Sequence, residues 1–226
     1  MYQAHKQEAN ASFARRAFLA SPAIVLNELF AAESAPPAKD ADWLLVHIDT
    51  ETTGLNPAYH ELIDIGVVYT DRAGKELGRW FQRLMPKHPE RLDPGAQAVN
   101  GFDAALWKQW KALPPGEALA DWIAYDSKTF GKRPRVRLAY NCAFDKGFLD
   151  ALYRAEGKEW SEDFTYFWLD IPSMAWALGY RQLRGTWVAE ALGVEDEPHG
   201  GVQHTGLTGA EVNVRIYREL LRRHKI

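Results

Sequence analysis

A single cysteine, Cys142, stands in 226 residues. That excludes an intrachain disulfide framework and any cysteine-based zinc site. It fits a reducing compartment better than secretion, so a cytoplasmic setting is expected. No apolar run approaches the ~18 residues of a membrane-spanning helix, and no membrane partner is expected. Charge of one sign is also scarce in excess: 27 Lys and Arg against 30 Asp and Glu leave a net charge of −3. A protein that grips duplex nucleic acid by charge alone is strongly basic, so that class is excluded. A local basic rim around an acidic site is not. Internal repeats and low-complexity tracts are missing. P-loop and Gly-x-Ser-x-Gly signatures are missing too, which leaves nucleotide-triphosphatase and serine-hydrolase readings without support.

Aromatic residues are abundant, with nine Trp, nine Tyr and ten Phe. They can build a sizeable core and also a stacking surface. The chain is 46% hydrophobic and 25% charged, an ordinary globular balance. Its length suits one large domain, or one domain with an appendage. Residues 1–41 read as an N-terminal helical arm and linker, and residues 42–226 as the main domain. The apolar cluster around Ile24, Leu26 and Phe30 is broken by Asn27 and has no clear cleavage site. A secretory signal is therefore not expected. Phe13, Phe18, Leu26 and Phe30 can share a helix face, and Ala35-Pro36-Pro37-Ala38 reads as a short linker.

Strands are expected at 43–49, 62–70, 76–84, 136–140 and 164–169, where apolar and β-branched residues run between turn signals. The second and third form a hairpin. Helices are expected at 102–110, 117–128, 144–156, 173–178, 186–192 and 205–223. An antiparallel group followed by strand–helix alternation predicts an α/β fold, a mixed sheet flanked by helices. Trp107, Trp110 and Trp122 sit at helical spacings and are expected in the core.

Three segments carry chemistry. In His47-Ile48-Asp49-Thr50-Glu51, residues two apart on a strand share a face, so Asp49 and Glu51 present paired carboxylates. Such a pair repels unless a divalent cation lies between its members, and hard oxygen ligands suit Mg²⁺ or Mn²⁺. Asn141-Cys142-Ala143-Phe144-Asp145 lies where a strand meets a helix. There Asn141 can cap the helix, with Asp145 in its first turn. The Gly- and polar-rich segment His199 to Glu211 puts His204 on a mobile loop at a helix start. A histidine there can act as a general base near neutral pH.

Taken together, and in this order, the three segments resemble the motifs of the DEDDh 3′–5′ exonucleases. That superfamily includes polymerase proofreading subunits and ribonuclease T. Asp49-Thr50-Glu51-Thr52-Thr53-Gly54-Leu55 resembles the first motif, Asn141 to Leu149 the second, and His204 with Leu207 and Ala210 the third. Glu61 to Gly66 and Pro94 to Phe102 resemble further stretches of that family. The likeness spans roughly residues 42–222 and leaves the N-terminal arm outside it.

The resemblance implies a ribonuclease H-like five-stranded mixed sheet flanked by helices. It implies a metal-dependent hydrolase that shortens single-stranded DNA or RNA from the 3′ end and releases nucleoside 5′-monophosphates. Two Mg²⁺ or Mn²⁺ ions would clamp the scissile phosphate. Asp49 would bridge them, Glu51 would hold the water-bearing ion, Asp145 the other, and His204 would accept the water's proton. Thr52, Gly54, Leu55, Asn141 and Phe144 would contact the strand end, with Lys146, Arg181, Arg184 and the 132–137 basic cluster as candidate phosphate contacts.

One position departs from the pattern. The family carries an Asp five residues after the histidine, and this chain has Gly209. Glu211 lies about 200° further round the helix, and Asn213 is neutral and roughly 6 Å along it. The metal site is therefore missing its fourth acid. Either the chain is an inactive form or the site is completed in another way. A silent nucleic-acid-binding module on the same fold is the rival reading.

Overall fold

A computed structural model describes residues 42–224. The expected arm at 1–41 lies outside the described residues. The five strands are β1 Leu44–Thr52, β2 Leu62–Thr70, β3 Glu76–Arg83, β4 Arg135–Ala139 and β5 Phe164–Asp170. They form one sheet in the order β3-β2-β1-β4-β5. β2 runs antiparallel to β1 and β3, while β4 runs parallel to β1 and β5. The helices are α1 Pro94–Asn100, α2 Ala104–Gln109, α3 Pro115–Phe130, α4 Cys142–Ala155, α5 Ile171–Ala177, α6 Gly185–Leu192 and α7 Gly206–His224.

The sheet buries both faces, which is why β2 is buried along its whole length and is mostly apolar apart from Asp64. Leu44, Val46 and Ile48 point one way, onto Leu119 and Trp122 of α3 and Phe148 and Leu149 of α4. Leu45 and Leu138 point the other way, onto α5, α6 and Val212, Ile216 and Leu220 of α7. A smaller cluster of Ile63, Phe102 and Trp107 closes one end. Trp107 and Trp122 are core residues as expected, but Trp110 is 39% exposed and stacks under the Arg83 guanidinium.

α1 has no counterpart among the expected elements. Asp93 accepts hydrogen bonds from Gly95 and Ala96 N–H, Pro94 opens the helix, and Gly101 ends it in the left-handed region at φ 64°. The helix carries Asn100, whose Nδ2 donates to the Thr52 carbonyl at 2.9 Å and so steadies the end of β1.

α7 approaches the sheet more closely than side chains permit. A Cβ on Gly66 would lie 2.0 Å from the Gly206 carbonyl carbon, and one on Gly206 would lie 2.4 Å from the Asp49 carbonyl oxygen. Two glycines thus let the start of α7 dock onto β1 and β2. Asp64 fastens it by accepting the Gly206 N–H at 2.9 Å.

Candidate active site

The ends of β1 and β4 and the starts of α4 and α7 meet around one cleft. Asp49, Glu51, Thr52, Leu55, Asn141, Phe144, Asp145 and His204 all line it. Residues from three separated segments are therefore brought together. Gly54 does not line the cleft; it lies against the His60 ring. Gly209 sits beneath it, buried in α7, and faces Asp49.

Particular contacts place Asp145 and His204. Asp145 is buried in the first turn of α4, and its Oδ1 accepts the Thr50 hydroxyl at 2.8 Å, tying α4 to β1. Asn141 stands before that helix in the left-handed conformation and makes no side-chain cap, contrary to the capping role expected for it. Asp170 Oδ1 instead accepts the Cys142 N–H at 3.0 Å. The strand before α4 ends on neighbouring β5, so a β5 residue reaches the helix start that Asn141 turns away from. His204 has a partner at each ring nitrogen. Its Nε2 lies 3.1 Å from Glu51 Oε1, and its Nδ1 lies 3.0 Å from the Pro198 carbonyl and 3.3 Å from Glu197 Oε2.

The electrostatics are those of crowded acids. Burial, then the charges of Asp145, Glu51, Glu197 and Asp64, push the Asp49 carboxyl well above its ordinary range. Burial and Glu51 raise Asp145 to about 7, against the Thr50 hydrogen bond. Burial and Glu51 raise Asp64 to about 8. His204 moves up to about 9, chiefly through its bond to Glu51. Among the described residues, no set of three or more His, Cys, Asp and Glu side chains stands ready-made around a metal position.

Several sequence expectations find other settings. Arg135 and Arg137 of the basic cluster are buried, Arg135 against Asp126, so neither offers its guanidinium to a phosphate at the surface. The β4 strand that carries them is internal to the sheet. Lys146 is paired with Asp150. Arg181 and Arg184 lie over Trp176 and Trp187. Glu211 turns out to Arg79, and Asn213 bonds to the Ile48 carbonyl, so neither replaces an acid at 209. Asn100, Tyr140 and Glu197 line the cleft unforeseen. Asp64 could have been found as a lone acid in an apolar strand; Glu197, in a polar loop, had no such signal.

Residues 46–217 match the exonuclease family named for RNase T. No curated relative matches the sequence. Among solved structures, the nuclease domain of 3′hExo, a DEDDh family member bound to rAMP, superposes with a TM-score of 0.67 at 20% identity, covering 84% of this chain and 95% of that one. A full-length 3′-exonuclease gives 0.65 at 19%, covering 80% and 82%. The zinc-bound E. coli exonuclease I–single-stranded DNA complex gives 0.65 at 17%, covering 80% of this chain but 41% of that one. The fold is the ribonuclease H-like exonuclease fold, and the chain belongs to the RNase T exonuclease family, as its three motifs had indicated.

Proposed function

We propose that the chain is a metal-dependent 3′–5′ exonuclease for single-stranded DNA or RNA ends, releasing nucleoside 5′-monophosphates. The observation that carries this reading is the convergence of Asp49, Glu51, Asp145 and His204, from three distant segments, in one cleft. The donor set fits divalent cations. Asp49 has no side-chain hydrogen bond among the described residues, and other carboxylates press on it from several sides. Hard oxygen ligands without a counter-charge suit Mg²⁺ or Mn²⁺.

Asp49, Glu51 and Asp145 would hold the cations, which when bound neutralise the phosphate and make a bound water more acidic. Thr50 keeps Asp145 turned toward β1. His204 would take the water's proton at Nε2, the nitrogen that faces Glu51. Leu55, 81% exposed at the cleft, would pack against the terminal base, beside Phe144 and Asn141. Gly209 removes one formal charge from the metal site. It is the one feature that favours the silent binding module.

Degradation of 5′-labelled single-stranded DNA and RNA with Mg²⁺ or Mn²⁺ tests the proposal. A ladder shortening from the 3′ end supports it. Strand binding without cleavage, by this chain and by Gly209→Asp alike, transfers the protein to the binding-module reading.

A further inference from the structure

The cleft contains an acid that none of the three motifs includes. Glu197 lies in the loop between α6 and α7, and its side chain, 17% exposed, turns into the same cleft as Asp49, Glu51 and His204. Its Oε2 lies 3.3 Å from His204 Nδ1 and accepts the Thr208 hydroxyl at 3.0 Å. The opposite edge of the ring, Nε2, lies 3.1 Å from Glu51 Oε1. The imidazole is thus strung between a carboxylate of β1 and a carboxylate of the loop.

We infer that Glu197 is a positioning residue for His204: its carboxylate faces the Nδ1 edge of the ring, beside the Pro198 carbonyl that bonds Nδ1, and so keeps Nε2 turned toward Glu51 and the reacting water. The inference rests on the exonuclease reading above, because it gives the histidine its task. A neutral imidazole carries one N–H and one lone pair, and the partner of one nitrogen decides which is which. Acceptors face both edges of the ring, Pro198 and Glu197 at Nδ1 and Glu51 at Nε2, so Nδ1 keeps its hydrogen throughout and Nε2 would accept one only when Glu51 is engaged by a cation. A carboxylate behind the ring also stabilises the imidazolium that forms once Nε2 has taken a proton.

Glu197 has one anchor, the Thr208 hydroxyl, whose single hydrogen it shares with the Thr205 carbonyl at 2.8 Å. Thr208 belongs to the first turn of α7, where its Oγ1 also accepts the Thr205 N–H at 3.0 Å. The neighbouring acid, Asp196, is turned to His199 at 3.2 Å, and the His199 ring lies 6.4 Å from that of His204. Of the three acids in this loop, Glu195, Asp196 and Glu197, it is Glu197 that pairs with the His204 ring. The competing role is a loop anchor to α7 through Thr208. The two roles separate in measurement.

The test compares the full chain with Glu197→Gln and Glu197→Ala. Long-range ¹H–¹⁵N spectra read the His204 ring, assigned by its disappearance in His204→Asn. The expected result is an Nδ1–H protected from solvent exchange in the unchanged chain and exchanging at least ~10-fold faster in Glu197→Ala. Equal protection in both shows that the Pro198 carbonyl holds the ring alone and overturns the inference.

In a form that hydrolyses strands, Glu197→Gln should lower kcat about 10- to 100-fold, as loss of such supporting contacts does. KM should hold, and the acid limb of the pH–rate profile should move to lower pH. A drop in thermal midpoint with kcat and profile unchanged assigns Glu197 to anchoring and also overturns the inference. The ring spectrum decides the matter even if no strand is cut. Hydrolysis that survives His204→Asn removes the base from the exonuclease reading and leaves the spectrum standing.

Discussion

Asp49 occupies the space that a side chain at position 209 would enter. A Cβ built on Gly209 would lie 2.4 Å from Asp49 Oδ2 and 2.5 Å from its Cγ. The acid expected at 209 and the Asp49 carboxylate are therefore one steric problem. Any residue at 209 other than glycine requires the Asp49 carboxylate to turn.

Gly209→Asp and Gly209→Ala separate the steric effect from the charge. Both place a Cβ against Asp49, so both should lower the thermal midpoint in metal-free buffer. Only the Asp form adds an anionic ligand. With Mg²⁺ or Mn²⁺ it should recover its midpoint and gain nuclease activity by at least ~10²-fold over the unchanged chain. Calorimetric metal titration beside a strand-degradation assay checks this. An identical metal response from the Ala form would mean that position 209 lies outside the metal site.

The metal-free protein should lose stability as pH rises from about 6.5 to 9. Asp145 and Asp64 are raised to about 7 and about 8, so the folded state holds protons there that the unfolded state has released. His204, raised to about 9, likewise keeps its proton only when folded. All three make folding bind protons in this window, so stability falls with rising pH. His47, lowered to about 3 by burial and then by Arg218, works in the opposite sense, but only below pH ~6.5. Thermal melts in chelator across this range should fall by several degrees. Divalent cations should flatten the fall, because they replace the protons on the carboxylates. A midpoint that rises between pH 7 and 9 without metal would contradict the crowded-acid account.

Asp64 allows the charge and the hydrogen bond to be tested apart. Its Oδ1 holds the Gly206 N–H at 2.9 Å. Glu51 opposes it across the β1–β2 ladder. Asp64→Asn keeps an acceptor and removes the charge, so its melts should depend less on pH above 6.5. Asp64→Ala leaves a buried N–H unpaired, which costs about 1–3 kcal/mol. That corresponds to roughly 2–4 °C per kcal/mol for a domain of this size. If Asn destabilises as much as Ala at pH 8, the carboxylate itself is what α7 needs.

Much of this architecture was legible before the structure. β2 was read at Leu62–Thr70, where the strand lies, because turn signals bound its apolar run on both sides. The Asp49–Glu51 pair followed from strand periodicity, and Asp145 and His204 from motif order. What escaped depended on contacts between distant segments. Nothing near Asn141 announces that Asp170, on another strand, would bond the Cys142 N–H. Arg135 looks like a surface charge until Asp126 and Asp163 appear beside it. Helix α1 could have been found, since Asp93-Pro94 and Gly101 are start and stop signals, but its short body carries little periodicity.

Leu55 should matter to the strand and not to the fold. Its side chain is 81% exposed at the cleft, so Leu55→Ala removes almost no buried area. The thermal midpoint should stay within about a degree. Binding of a single-stranded oligomer should weaken about three- to tenfold, the worth of part of an apolar side chain buried under a base. Fluorescence anisotropy of a labelled oligomer, with Ca²⁺ to prevent cleavage, measures it. Unchanged affinity would place the terminal base elsewhere.

Gly66 is the most demanding position around the site, though it is not among the residues that line the cleft. It pairs with Asp49 in the β1–β2 ladder, and a Cβ there would lie 2.0 Å from both the Gly206 carbonyl carbon and the Leu207 nitrogen. Those are backbone atoms, so no side-chain rotation can relieve the clash. α7 must lift away from the sheet or the strand must bend. Gly66→Ala should therefore cost about 3 kcal/mol, the upper end of the usual range for overpacking. The damage should not stop at stability, because α7 carries the Asp64-bound Gly206, and His204 stands two residues before it. Any strand-cutting activity should fall further than the folded fraction does. A urea titration beside a strand-cleavage assay on the same preparation distinguishes the two losses. An Ala variant within ~1 kcal/mol of the unchanged chain would mean that α7 is not seated on β2 at this glycine. The close contact that brings His204 to Glu51 would then have to be drawn differently.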